Sequence, residues 1–87
     1  MSTVELIASN LWGVAAYAVA TTDITDIDGI LNHVAHAMFS QIHTLEALFP
    51  IVIRDYSGII RNIMIDIIYR WHRHFTRQTA TVATSGG

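Results

Sequence analysis

Residues 49–75 read FPIVIRDYSGIIRNIMIDIIYRWHRHF. The choice between a membrane span and a helix packed among protein neighbours turns on this stretch. Ile53, Ile60, Ile63, Ile67, Trp71 and Phe75 recur on one side of a helical wheel, and Ile59, Ile65 and Ile68 lie elsewhere on it. Only Arg54, Asp55, Arg61, Asn62 and Asp66 interrupt the apolar run before its basic end. A helix that is apolar almost all round is enclosed on most sides. A bilayer span over Phe49 to Tyr69 would place Arg54, Asp55, Arg61 and Asp66 in or near hydrocarbon. There each central charge costs about 2.5–3.5 kcal/mol, and each apolar residue returns only about 0.3–0.6 kcal/mol. The balance disfavours an isolated span and favours protein neighbours.

Working outward, Pro50 either opens this helix at its first position or kinks a continuous one, because proline lacks the N–H that a helix interior uses. The preceding helix is predicted over 27–49. Ile27, Ile30, Leu31, Val34, Met38, Ile42, Leu45 and Phe49 form one stripe, while Asn32, His33, His36, Ser40, Gln41, His43 and Glu46 fill much of the rest. Before it, TTDITDIDG (residues 21–29) is rich in Thr and Asp, which bond their own backbone and favour turns and caps. A loop over 22–26 and an N-cap near Thr25 or Asp26 follow. Ser2 with Glu5 is a capping-box pattern, so a first helix is predicted over about 3–21, with Val4, Ile7, Leu11, Val14 and Ala18 at helical steps. Ala8, Gly13, Ala15, Ala16 and Ala20 make that helix thin enough for close packing. The third helix is expected over 50–77, followed by a flexible Thr/Ala/Ser/Gly tail over 78–87. The expected fold is all-α and a single domain over 1–87. Two long helices form a hairpin or kinked pair behind a short N-terminal helix, and the whole assembles as a homo-oligomer.

Composition explains the expectation of self-association. Hydrophobic residues make up 52% of the 87 and charged residues only 14%, with mean hydropathy +0.40, against roughly 25% charged in an ordinary soluble domain. A chain of this size hides only about 60% of the surface its unfolded form exposes, so apolar surface remains for a neighbour to cover. There is no cysteine, hence no disulfide framework and no thiolate nucleophile. No lysine occurs, and Glu5 stands where a secretory signal would carry positive charge.

Charge is divided along the chain. Residues 1–50 hold Glu5, Asp23, Asp26, Asp28 and Glu46 with no Arg, whereas residues 51–87 hold five Arg against Asp55 and Asp66. Tyr69, Arg70, Trp71, His72, Arg73, His74, Phe75 and Arg77 form a basic aromatic cluster. On a helix, Arg70, Arg73 and Arg77 share one face and Trp71 and Phe75 another. Such a stripe can neutralise phosphates through counterion release while aromatics stack on bases, so Arg70, Arg73, Arg77, His72, His74 and Trp71 are the candidate nucleic-acid contacts. The plainer reading is that basic residues favour a helix C-terminus, where they complement the macrodipole.

Other groups carry weaker signals. Arg54 with Asp55, and Arg61 with Asp66, read as inter-helix or inter-subunit ion pairs. His33, His36 and His43 lie at helical steps that can serve a metal or pigment, yet no Cys and only Glu46 stands near, so hydrogen bonding is the stronger reading. Asp23, Asp26 and Asp28 lack the later Glu of a calcium loop and read as caps. No activated nucleophile, phosphate-binding glycine loop or catalytic carboxylate pair is present, so the expectation is a non-enzymatic protein without cofactor or metal.

With acidic Glu5 and Asp23 to Asp28, apolar Ile51 to Ile68 and basic Arg70, Arg73 and Arg77, the layout resembles small hydrophobic helical coat subunits of filamentous and rod-shaped viruses. It is also similar to conjugative pilins. Pro50 and the internal charges favour the hairpin type over the single-helix type. The resemblance implies a structural subunit in a virion or extracellular filament, with copies of itself and non-specific nucleic acid as partners. The alternative is an accessory subunit of a membrane complex, with Trp12, Tyr69 and Trp71 at interfaces and the histidines near a cofactor.

Overall fold

A computed structural model describes residues 1–86. They form four helices and no strand: α1 (Thr3–Thr21), α2 (Ile27–Leu48), α3 (Pro50–Asp55) and α4 (Ser57–Gly86). α1 begins at a reciprocal cap. The Glu5 N–H donates to Ser2 Oγ at 3.1 Å and the Ser2 N–H donates to Glu5 Oε1 at 3.2 Å, which satisfies two amides that a helix start otherwise leaves unpaired. α2 begins at Asp26, whose Oδ2 accepts from the Gly29 N–H at 2.8 Å. A Cβ added at position 29 would lie 2.7 Å from Ile24 Cγ2 and 2.9 Å from Asp26 Oδ1, so a larger residue there would displace the capping carboxylate or Ile24.

Phe49 breaks the chain direction at φ −134° and ψ 63°. The residue before a proline is pushed out of the α region, and Pro50 then opens α3. The predicted third helix is itself divided. Tyr56, at φ −104° and ψ 13°, separates α3 from α4, and Ser57 and Gly58 follow as the weak helix formers at which kinks occur. The bend keeps most of the hydrogen-bond ladder: Tyr56 N–H donates to Val52 O at 3.0 Å and Ile60 N–H to Tyr56 O at 2.8 Å. α4 continues to Gly86, across the segment where composition suggests a flexible tail; Gly87 lies outside the described residues. Thr76, Thr79 and Thr81 hydroxyls donate to the carbonyls of His72, Phe75 and Arg77 one turn back, so these residues sit inside the helix rather than ending it.

The core runs along one side of each helix. Leu11, Ala15, Val34 and Met38 are essentially solvent-free, joined by Ile7, Ala18, Ile30, Ile53, Ile60 and Ile67. Among the described residues no polar or charged residue is buried, so the interior is held by apolar contact alone. α2 contacts all three other helices, and α1 also contacts α4. Asn10 and Gln41 pin α1 to α2 through an Nε2–H to Oδ1 hydrogen bond of 3.1 Å.

The molecule measures 53 × 23 × 19 Å, with a radius of gyration of 14.9 Å, against about 12 Å for a compact domain of this length. Its accessible surface is 6018 Å², whereas a compact monomer of 9.7 kDa exposes about 5,100 Å². α1 is the one helix among the described residues long and apolar enough to cross a membrane, with a mean hydropathy of 1.3. It turns Ile7, Leu11, Ala15 and Ala18 into the core and leaves most of its surface uncovered.

Candidate polyanion interface

The basic cluster lies on α4. Arg70, Arg73 and Arg77 fall at helical steps of three and four and are all exposed, spanning about 10 Å along the axis at 1.5 Å per residue. With His74 they line a shallow cleft of about 210 Å³. A second open cleft of about 590 Å³ adjoins it, where His74 and Arg77 meet Gln78 and Thr81. Helical periodicity therefore places three guanidinium groups on one side of a single element, where adjacent phosphates of one chain can meet them.

Each arginine has a different local partner. Arg70 Nε lies 3.0 Å from Asp66 Oδ2, an ion pair one helical turn apart with both side chains more than half exposed. A pair so placed contributes at most a few tenths of a kcal/mol, so a phosphate can compete for Arg70. Arg73 Cζ sits 5.8 Å from the Tyr69 ring centroid, and this cation–π contact holds the side chain along the helix. Arg77 makes no ion pair among the described residues. His72 is exposed.

Trp71 is not on this face. Its indole stacks on Trp12 of α1, with centroids 5.5 Å apart and planes 16° from parallel, and on Phe75 at 5.7 Å and 26°. Its Nε1–H is buried without a hydrogen-bond partner. That packing joins α4 to α1 and leaves the Trp71 ring half-buried, on a different face from the arginines. His74 is shared between the two sides, edge-on to Trp71 at 5.5 Å while it lines the basic cleft. Tyr69 is the aromatic available on the basic side, exposed and one turn before Arg73. Tyr69 was not among the expected contacts, although its i, i+4 relation to Arg73 is a signal present in the sequence.

Within one chain, the internal charges of the described residues form two ion pairs. Asp66 reaches Arg70 and not Arg61, because a four-residue step on α4 brings side chains together and a five-residue step does not. Arg54 and Asp55 are sequence neighbours whose Nε and Oδ1 lie 4.0 Å apart, both well exposed. Arg61 makes no ion pair among the described residues; it lines an apolar groove between α2 and α4. His33, His36 and His43 are exposed along α2. Among the described residues no three His, Cys, Asp or Glu side chains converge as a metal site would require.

The fold and site together define a small, elongated, all-helical protein with a one-sided basic helix and much uncovered apolar surface. No family model matches the chain, and neither a curated protein nor a solved structure is significantly similar to it.

Proposed function

We propose that this chain is a structural subunit of a helical assembly, a virion coat or an extracellular filament, whose Arg70, Arg73 and Arg77 face lies against nucleic acid. The observation that carries the reading is the uncovered apolar surface. Among the described residues thirteen large hydrophobic side chains are exposed, including Phe39, Leu48, Phe49, Ile51 and Ile65, while ten hydrophobic residues are buried in the core. Copies that cover one another's apolar faces complete collectively what one chain leaves open. The basic face adds a direction, because a packaged polyanion is neutralised most simply by guanidinium groups on one side of a repeated helix. Electron microscopy of detergent-free protein, with a nuclease-protection assay on native particles, tests this. Ordered particles holding protected nucleic acid are expected; monodisperse small protein with none protected contradicts it.

A second reading, an accessory subunit of a membrane complex, draws support from α1, whose apolar length suffices for a span and whose Leu6, Trp12 and Tyr17 are exposed. Extraction from native membranes only with detergent favours it over the first.

A further inference from the structure

The α2–α3 corner carries an exposed apolar tip. Leu48, Phe49, Ile51 and Val52 are all exposed around Pro50. The chain also holds a complementary concavity, the groove of about 490 Å³ between α2 and α4 lined by Met38, Phe39, Met64, Ile65, Ile68 and Arg61. Two methionines give that groove adaptable walls. Its volume falls within the roughly 300–1,000 Å³ range of pockets that bury a drug-sized ligand, enough for several apolar side chains. Ten residue steps along α2 to its C-cap carry the chain from Phe39 in the groove to Phe49 at the tip, about 15 Å along the helix. The two features are therefore distinct surfaces of one molecule.

Their charges match. Glu46 stands one turn before Phe49 and is exposed; Arg61 stands one turn before Ile65 at the groove. Neither makes an ion pair among the described residues. The tip thus offers an apolar anchor with an adjacent unpaired carboxylate, and the groove an apolar socket with an adjacent unpaired guanidinium. Arg54 and Asp55 behind the tip offset each other, which leaves Glu46 to set the sign of the contact.

We propose that successive copies join head to tail, the tip around Phe49 and Ile51 of one copy seating in the α2–α4 groove of the next, with Glu46 of the first facing Arg61 of the second. This rests on the assembly reading and specifies its contact. Joining two different patches makes a heterologous interface, which propagates into an open helical filament unless the rotation closes a ring.

The native chain contains no cysteine, so cross-linking reports the contact directly. Full-length protein carrying both Ile51→Cys and Ile65→Cys is oxidised with copper phenanthroline and run on a non-reducing gel. The expected result is a ladder through trimers and beyond, while each single-cysteine variant gives no species larger than a dimer. In the double-cysteine background, Arg61→Glu or Glu46→Arg alone cuts the ladder about tenfold or more, since like charges face each other. The two reversals together restore it. Far-UV circular dichroism confirms that each variant stays helical, and restoration excludes misfolding as the cause of loss.

Particles without a ladder overturn the tip-in-groove contact and leave the assembly reading standing. Dimers from Ile65→Cys alone, with no ladder, show instead that grooves of two copies face each other. Failure of the double reversal to restore cross-linking overturns the Glu46–Arg61 pairing. A chain that stays monomeric overturns both the contact and the assembly reading.

Discussion

Trp12 of α1 and Trp71 of α4 stack with their ring centroids 5.5 Å apart. The stack ties the first helix to the last and draws Trp71 away from the arginines on either side of it in sequence. Interior packing thus sets one face of α4, and exposed cations set the other. The consequences for stability and for binding can be separated by mutation.

Replacing Trp71 by Ala removes contacts to Trp12, His74 and Phe75. A loss of about 3 kcal/mol of unfolding free energy is expected, at the low end for Trp truncation because the ring is only partly buried. Trp71→Phe should cost less than about 1 kcal/mol, since it keeps an aromatic ring and removes a buried N–H that has no partner. Urea titration followed by circular dichroism measures both. Equal losses would show that the stack contributes nothing specific.

With Trp12 replaced by Phe, Trp71 is the sole tryptophan and its fluorescence reports its surroundings. Adding a single-stranded oligonucleotide should change its emission little, because the half-buried indole packs between α1 and α4 on a face away from the arginines. Strong quenching would place it against bases and contradict that packing.

Asp66 pairs with Arg70, so on the proposed nucleic-acid reading it would compete with phosphate for that side chain. Asp66→Asn should therefore tighten oligonucleotide binding and steepen the fall of log K with log salt by about 0.7–0.9, the increment for one further phosphate contact. The triple change Arg70→Gln, Arg73→Gln and Arg77→Gln should weaken binding and flatten the same slope with helicity retained. If affinity is unchanged in the triple variant, these arginines serve the helix end and not a polyanion.

Core and surface apolar residues should also part company. Leu11 is fully buried, and Leu11→Ala is expected to cost about 2–5 kcal/mol. Phe49 is half exposed at the tip, and Phe49→Ser should cost the isolated fold less than about 1 kcal/mol while reducing particle formation. Thermal melts paired with electron microscopy distinguish the two effects. A large loss of fold stability from Phe49→Ser would mean that the tip belongs to the core.

The all-helical class was legible in the sequence because its signals are local. Ser2 with Glu5 is a cap in the structure, Asp26 caps α2, and Pro50 stands at the start of α3. Each depends on residues within one turn of one another. The break at Tyr56 was not legible, because Ser57 and Gly58 lie in an otherwise continuous apolar pattern and one bend leaves that pattern intact. The course of α4 past Arg77 was hidden for the opposite reason: a run of Thr, Ala, Ser and Gly has no apolar periodicity to mark a helix, although the Thr79 and Thr81 hydroxyls are accommodated by bonds to carbonyls four residues back. At the candidate site, the alignment of Arg70, Arg73 and Arg77 follows from spacing alone. The inward turn of Trp71 does not, since it depends on Trp12, 59 positions earlier in the chain. The pairing of Asp66 with Arg70 was available from its four-residue spacing.

The central claim is that this chain completes its apolar surface with copies of itself. Sedimentation velocity of the full chain in detergent-free buffer, over a range of concentrations, tests it most directly. The account predicts species much larger than the 9.7 kDa protomer, growing with concentration. A single 9.7 kDa species at every concentration would contradict it.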